Sequence, residues 1–138
     1  MNLIKNVKMS LPVLYNTETS STSAVVDMAG YESVCFVLQM GTSGSTNVAM
    51  HIESGSSSGG GDAVDLTGTE IISTSTGRSA VASDLIKPPY RYVVPVVIAT
   101  TESAYSVLAL QYGARVLPVS QSTDITADEV NVGTSGTV

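Results

Sequence analysis

The chain has few charged residues, one histidine, one cysteine and no tryptophan. Each shortage reduces the number of functions that the chain can perform. Only 13% of its 138 residues are charged, about half the usual share. Exposed charge keeps the surfaces of monomeric proteins soluble and separate. We therefore expect surfaces rich in Ser, Thr and Gly that are buried against other proteins. A secreted β-protein with an uncharged polar coat is the alternative that composition leaves open.

Positive charge is the scarcer sign. Twelve acidic residues face six basic ones, for a net charge of −6. The bases are scattered along the sequence, whereas phosphate binding needs clustered positive charge. Nucleic acid is therefore not an expected partner, and neither is an anionic membrane surface. No segment approaches the ~18 apolar residues of a membrane span, and the N-terminal residues lack the apolar run of a signal peptide.

The residues that usually carry catalysis are almost absent. His51 is the single histidine, and Cys35, the single cysteine, lies in an apolar run. Cys35 is interpreted as a small buried hydrophobe, and the lack of a disulfide framework favours synthesis in a reducing compartment. A Cys35–His51 dyad would need their strands to pair, and no basic neighbour lowers the thiol pKa. We predict no catalytic residue, no cofactor and no enzymatic activity.

A Ser/Gly-rich stretch from Ser54 to Gly61 precedes Asp62 and Asp65. Such a stretch offers little apolar area against a large entropy cost, so an exposed, mobile loop is expected. The two aspartates lack the ligand spacing and the closing glutamate of a calcium loop. No metal site is predicted, and whether this loop contacts a cation stays open.

Apolar and β-branched runs separated by Gly, Ser and Thr predict short antiparallel strands. The runs 88–98 and 105–113 flank a polar Thr100–Ser103 break and predict a hairpin. Ser33–Met40 and Asn47–Glu53 predict a second hairpin, and Pro12 favours an edge position for the first strand. Ser79–Ile86 is the only stretch in which a helical turn is expected.

These elements predict an all-β fold, an antiparallel β-sandwich of jelly-roll-like type. Residues 1–118 would form a single domain, in which residues 1–15 are an extended arm or an edge strand. Residues 119–138 contain no aromatic and no basic residue. They predict a polar, extended C-terminal arm, for which a frayed end is the alternative.

Six tyrosines are the most informative side chains, because tyrosine is enriched where an interface is buried without being dry. A strand period of two places Tyr90 and Tyr92 on one face and Arg91 on the other. Arg91 is thus either an interface anchor or a surface charge.

Three stretches resemble a group of small proteins of tailed bacteriophages. The first opens with Asp27, Gly30, Tyr31, Glu32 and Ser33 and leads into an apolar strand. The second is the basic-tyrosine-valine strand at 91–93, and the third is the Gly-x-Arg-x-x-Pro ending at 113–118. The resemblance spans about Asp27 to Pro118, with the Ser/Gly loop as an insertion, and the polar C-terminal arm departs from the compact ending of the group.

The resemblance implies a virion structural protein, most plausibly a capsid decoration (cement) protein without catalytic residues. It implies binding to the major capsid protein on the capsid outer surface as a homo-oligomer, with a trimer favoured and a dimer possible. The residues proposed for its interfaces are Leu3, Ile4, Val7, Tyr31, Tyr90, Arg91, Tyr92, Arg115, Ile125, Val130 and Val132.

Two alternatives remain. One is a head–tail joining or tail component of the virion. The other is a small carbohydrate-binding or hydrolytic β-sandwich, in which Asp84 or Glu102 would lie beside Tyr90 or Tyr105.

Overall fold

The computed structural model describes residues 2–20, 23–43, 48–74 and 77–127. It confirms an all-β fold, in which every strand pairing is antiparallel. The elements in chain order are α1 (Leu3–Asn6), β1 (Lys8–Ser20), β2 (Val26–Asp27), β3 (Ser33–Ser43), β4 (Val48–Gly55), β5 (Val64–Asp65), β6 (Ile71–Ser73), β7 (Ser79–Ile86) and β8 (Tyr92–Tyr112). No helix in these ranges is long and apolar enough to cross a membrane.

The long strand β8 organises the sheet. One flank of β8 pairs with β3 along its second half and with β4 along its first half. On the other flank, β1 pairs along the second half of β8 and reaches Ile98, and β2 pairs with Val93 and Tyr92 at the start of β8. Outside β3 lies β7, and outside β4 lie β5 and β6. The result is one curled antiparallel sheet whose two halves share β8.

A single core lies inside the curl. Alternate β8 residues, among them Val93, Val97, Val107 and Ala109, are buried. They join Phe36 and other side chains of β3 and β4 in one apolar cluster. Alternation puts every second residue of a strand on one face. Because the alternating buried residues have odd numbers in both halves of β8, the same face of the strand points into the core along both halves. The jelly-roll arrangement and the 1–118 domain limit stay predictions.

The hairpin predicted around Thr100–Ser103 is wrong. Residues 92–112 form one continuous strand, and the polar break is an exposed part of it at residues 100–102. The break contains no Gly, Asn, Asp or Pro, the residues that supply the backbone geometry of a tight reversal. The polar signal therefore marks a place where the strand leaves the core, without a reversal of direction.

The second predicted hairpin is also wrong. β3 and β4 both exist, but they do not pair with each other: each runs antiparallel to a different half of β8. The two segments are neighbours along the chain, which suggested that they pair. Instead, both pair with the long strand β8.

Two local assignments need correction. Ser79–Ile86 is strand β7, whose residues alternate between half-buried and exposed, with Val81 and Leu85 packed on the core. Leu3–Asn6 is one helical turn, although its alternation predicts extended chain; Asn2 caps this turn by accepting a hydrogen bond from the Lys5 amide at 3.3 Å. Within the described strands β1 pairs with β8 alone, which is the edge position that Pro12 predicted.

The predicted loop at Ser54–Gly61 is exposed at residues 56–59, but Ser54 and Gly55 are buried at the end of β4, so the loop begins two residues later than predicted. It is closed by hydrogen bonds. The Asp62 carboxylate accepts from the amides of Ser56 and Ser57 at 3.0 and 2.8 Å. A hydrogen bond from the Ser56 hydroxyl and those from the two amides hold the pKa of Asp62 below its usual value. The carboxylate thus stabilises the loop by replacing backbone partners.

Candidate functional site

A broad cleft opens at the end of the molecule away from the β8 break. It has a volume of about 690 Å³ and is lined by residues 28–32, residues 87–91, Gly113 and Arg115. These segments connect strands from the two halves of the sheet or follow the end of β8. We call it the end cleft.

Backbone hydrogen bonds fix the segments of the end cleft to one another. The Glu32 amide donates to the Tyr112 carbonyl at 3.1 Å, and the Arg115 amide donates to the Gly30 carbonyl at 2.9 Å. Gly113 lies between these contacts with a φ of 68°, and a Cβ there would lie 2.7 Å from the Glu32 Cβ. Glycine is required on both counts, so the sequence position of Gly113 sets the shape of the cleft.

One wall carries an ion pair between Asp27 and Arg91. The guanidinium donates to both carboxylate oxygens, with both N–O distances at 2.8 Å. This fork-to-fork geometry is the strongest form of an Arg–carboxylate pair. The hydrogen bond from Arg91 holds the pKa of Asp27 below its usual value, and the pKa of Arg91 is raised. The guanidinium also lies 5.1 Å from the centre of the Tyr92 ring.

The bases are clustered in space, in contrast to the scattering seen along the sequence. Lys87 pairs with Glu32 at 3.6 Å on the cleft wall. Lys8 lies 5.9 Å from the centre of the Tyr31 ring, in a depression that adjoins the cleft and shares Arg115 with it. Four of the six lysine and arginine residues thus line one end of the molecule (Lys8, Lys87, Arg91 and Arg115).

These four bases face only two carboxylates that pair with them. Among the described residues, Asp27 and Glu32 form salt bridges with Arg91 and Lys87, and no carboxylate does so with Lys8 or Arg115. The region therefore carries a positive excess on a chain whose overall charge is −6. The sequence-based argument against clustered positive charge is corrected here, because strand pairing brings distant bases together.

The structure brings four proposed interface residues to the end cleft: Tyr31, Tyr90, Arg91 and Arg115. Tyr31 is half-buried, and burial raises the pKa of its hydroxyl, whereas Tyr90 is 51% exposed. Tyr90 precedes β8, so the prediction that it shares a strand face with Tyr92 is wrong. Tyr92 begins the strand and is half-buried.

The remaining proposed interface residues fall elsewhere. Leu3 is 51% exposed and lies in an apolar groove with Val7, Cys35, Leu110 and Leu117. Val7 is buried, so it packs within its own chain, while Ile4 and Ile125 are half-buried. The last two proposed residues, Val130 and Val132, lie outside the described residues.

The first part of the predicted C-terminal arm lies on its own chain. The Val119 amide donates to the Lys5 carbonyl at 3.0 Å. The Gln121 side-chain amide donates to the carbonyls of Ile4 and Val7 and accepts from the Met9 amide at 2.7 Å. Asp124 then accepts from the Leu11 amide at 3.2 Å. Gln121 and Asp124 thereby satisfy backbone donors on the outer edge of β1, which an edge strand otherwise exposes.

The proposed set of interface residues omitted five residues of this end of the molecule: Asp27, Lys8, Lys87, Gln121 and Asp124. Asp27 opens the first of the three stretches that carry the resemblance, but no short motif joins it to the other four. Asp27 lies in β2 and Arg91 directly precedes β8, so the two residues meet because β2 pairs with β8. A sequence pattern would have to predict this strand pairing before it could predict the ion pair.

Residues considered for catalysis and sugar binding are dispersed. Cys35 lies opposite Leu110 on β8, and His51 lies opposite Val96, on the other side of the break. Cys35 is half-buried, so the prediction that it is a buried hydrophobe is wrong. Its partial burial, with a further contribution from Asp84, raises the pKa of the thiol. In the described residues no group of three or more His, Cys, Asp or Glu side chains is placed to hold a metal ion.

Asp84, one of the two acids considered for carbohydrate binding, pairs with a different tyrosine. The Tyr112 hydroxyl donates to Asp84 at 2.7 Å, and Tyr105 is completely buried. Tyr105 therefore offers no surface to a sugar ring. The end cleft still places the exposed Tyr90 near Glu32, and a glycan screen remains the direct test of that alternative.

No protein-family model matches the chain, and no curated protein matches it. Among solved structures, the chain is similar to a protein from work describing Bacillus endospore appendages as a novel family of disulfide-linked pili. The TM-score is 0.42 at 13% identity, over 81% of this chain and 92% of that chain. A similarity of this size carries no conclusion about function.

Proposed function

We propose that this chain is a bacteriophage virion structural protein, a decoration protein that binds the outside of the capsid and bridges capsomers. The observation that carries the proposal is the end cleft, where Tyr31, Tyr90, Arg91 and Arg115 converge from three separate stretches of the sequence. Tyrosine and arginine are the residue types enriched at energetically important protein contacts. The sequence resemblance to small phage virion proteins supports the choice of a capsid as the partner.

The shape of the cleft favours a protein partner over a small molecule. It is wide and open, and its exposed charges are partly neutralised by pairs such as Asp27–Arg91. Small-molecule sites, in contrast, enclose most of their ligand within mainly apolar walls. An open surface with Tyr90 at its rim fits a protein segment that lies across it.

Weak individual contacts are sufficient for attachment to a capsid, because several of them form together. A protein that touches two or three capsomers adds interface area that must be broken before the capsomers part. When one contact has formed, the next forms at high effective concentration, so modest affinity at each contact gives firm attachment. In this proposal the major capsid protein is the partner, and the protein is synthesised in the bacterial cytoplasm before it joins the virion.

The test uses empty heads assembled from the major capsid protein encoded by the same genome. We expect the purified chain to co-sediment with these heads to a fixed maximum ratio and to raise the temperature at which they disassemble. Tyr90→Ala should weaken retention by about tenfold, the effect of losing one well-placed tyrosine contact.

Tyr15→Ala is the matched control, because Tyr15 is 71% exposed and lies outside the cleft; it should be retained like the wild type. Absence of wild-type binding to the heads would refute the proposal. Tubes or six-membered rings of the isolated protein would favour the tail-component alternative, and specific glycan binding that Tyr90→Ala abolishes would favour the carbohydrate alternative.

A further inference from the structure

We propose that the acidic C-terminal segment of one copy of the chain occupies the positively charged side of the end cleft of a second copy. The proposal names a partner for the site described above, and it rests on that site being a protein-binding surface. The contact would join copies of the chain to one another and is distinct from attachment to a capsid.

The receiving surface is the side of the cleft that contains Lys8 and Arg115. Within the described part of the chain neither side chain forms a salt bridge, while the neighbouring Lys87 and Arg91 are already paired with Glu32 and Asp27. Arg115 is exposed, and its backbone is fixed by the hydrogen bond of its amide to Gly30. Lys8 also lies in a depression with Asp27 and Asp124 of its own chain and contributes to lowering the pKa of Asp27, so Arg115 is the more available of the two bases. Because the backbone of Arg115 is anchored, its side chain offers a preorganised contact for a carboxylate, which lowers the cost of binding.

The donating segment is acidic and contains no base. Residues 119–138 contain Asp124, Asp128 and Glu129 and no lysine, arginine or histidine. Asp124 accepts a hydrogen bond from the Leu11 amide of its own chain. Asp128 and Glu129 are the two carboxylates that match Lys8 and Arg115 in number.

The direction of the chain favours a second copy over the same copy. Val119 and Ser120 line the depression that contains Lys8 and Arg115, but the chain then follows β1 from Met9, held by Gln121, to Leu11, held by Asp124. It therefore leads away from its own cleft. The 11 residues after Ala127 (138 − 127) can span about 36 Å when extended, which is enough to reach a neighbouring molecule.

This contact joins two different surfaces, a segment on one copy and a cleft on the next. Such a heterologous contact closes into a ring when its rotation permits, and a trimer is the smallest such ring. Two copies that exchange segments reciprocally form a dimer by the same contact.

The test measures self-association of the full chain by sedimentation equilibrium. We expect concentration-dependent association at about 0.1 M salt that weakens at about 1 M salt, because the Debye length falls from about 10 Å to about 3 Å. The segment variant Asp128→Lys/Glu129→Lys and the cleft variant Lys8→Glu/Arg115→Glu should each raise the dissociation constant about tenfold or more.

The charge-swapped chain that carries all four substitutions should recover association, and Arg78→Glu, at an exposed base outside the cleft, should associate like the wild type. Circular dichroism checks that each variant is folded, and Lys8→Gln/Arg115→Gln replaces the cleft variant if that one is not.

A wild-type chain that is monomeric at low salt would overturn the proposal, and this includes the case in which the segment folds back onto its own cleft. Association that survives both double variants, or that the charge swap does not recover, would overturn it as well. Head binding is measured separately on the segment variant, which leaves every cleft residue unchanged, so failure of this contact is distinguishable from failure of the capsid-binding proposal.

Discussion

Replacing Gln121 by alanine should release the C-terminal segment from the edge of β1. The Gln121 side chain donates to the carbonyls of Ile4 and Val7 at 2.9 and 2.8 Å and accepts from the Met9 amide at 2.7 Å. One half-buried side chain thus satisfies three backbone groups at the junction of α1 and β1.

The magnitude follows from those three bonds. Each net hydrogen bond is worth about 0.5–1.5 kcal/mol, and water reaches some of the groups once the side chain is gone. We therefore expect Gln121→Ala to lower the free energy of unfolding by about 1.5–3 kcal/mol. At roughly 4 °C per kcal/mol for a chain of this size, the melting temperature should fall by about 6–12 °C.

Urea unfolding followed by circular dichroism measures the global effect, and hydrogen exchange at the Met9 amide measures the local one. Gln39→Ala is the matched control, because Gln39 is exposed and accepts a single long bond from the Ser106 hydroxyl at 3.4 Å. A Gln121→Ala protein with the stability of Gln39→Ala and unchanged Met9 exchange would refute the reasoning.

Three further predictions concern other parts of the molecule. Arg91→Met should flatten the acid limb of the stability profile: the pKa of Asp27 is lowered, so the pair stabilises the fold above the usual carboxylate pKa and loses this contribution as pH falls through the lower folded value. The Cys35 thiol should react more slowly than free cysteine at pH 8 in an alkylation assay, because burial raises its pKa; an equal rate in the native protein would contradict this. Gly55→Ala should cost about 1–3 kcal/mol in urea unfolding, because the added Cβ would lie 2.9 Å from neighbouring backbone, whereas Gly61→Ala, with nothing within 4 Å, should be neutral.

Local patterns predicted most of the strands but not their partners. The patterns within 33–40, 47–53, 88–98 and 105–113 located β-structure that the fold contains as β3, β4 and the two halves of β8, because period-two burial is a property of short stretches. Pairing depends on contacts between residues far apart in the chain, which no local pattern encodes. The polar residues at 100–102 show the limit: they mark an interruption, and only the positions of β3 and β4 determine that the chain continues straight through it.

The sequence predicted several residues of the candidate site but not the complete set. The sequence singled out Tyr31, Tyr90, Arg91 and Arg115 as contact residues, and they lie in one cleft. Their meeting depends on segments 28–32 and 87–91 reaching the same end of the sheet. Lys8 is absent from the sequence-based set because its proximity to Tyr31 arises only when β1 pairs with β8.

The shared strand β8 constrains when this protein can fold. β1, β2, β3 and β4 all precede their common partner in the chain. Within the described strands β1 and β2 pair with β8 alone, whereas β3 also pairs with β7 and β4 also pairs with β5 and β6. On the ribosome, residues 1–91 are synthesised before any of β8, and contacts between distant residues form slowly because the entropy of closing long loops must be overcome first. The sheet therefore stays incomplete during synthesis. Its unpaired strands are open to chaperones or to premature association until Tyr112 has left the exit tunnel.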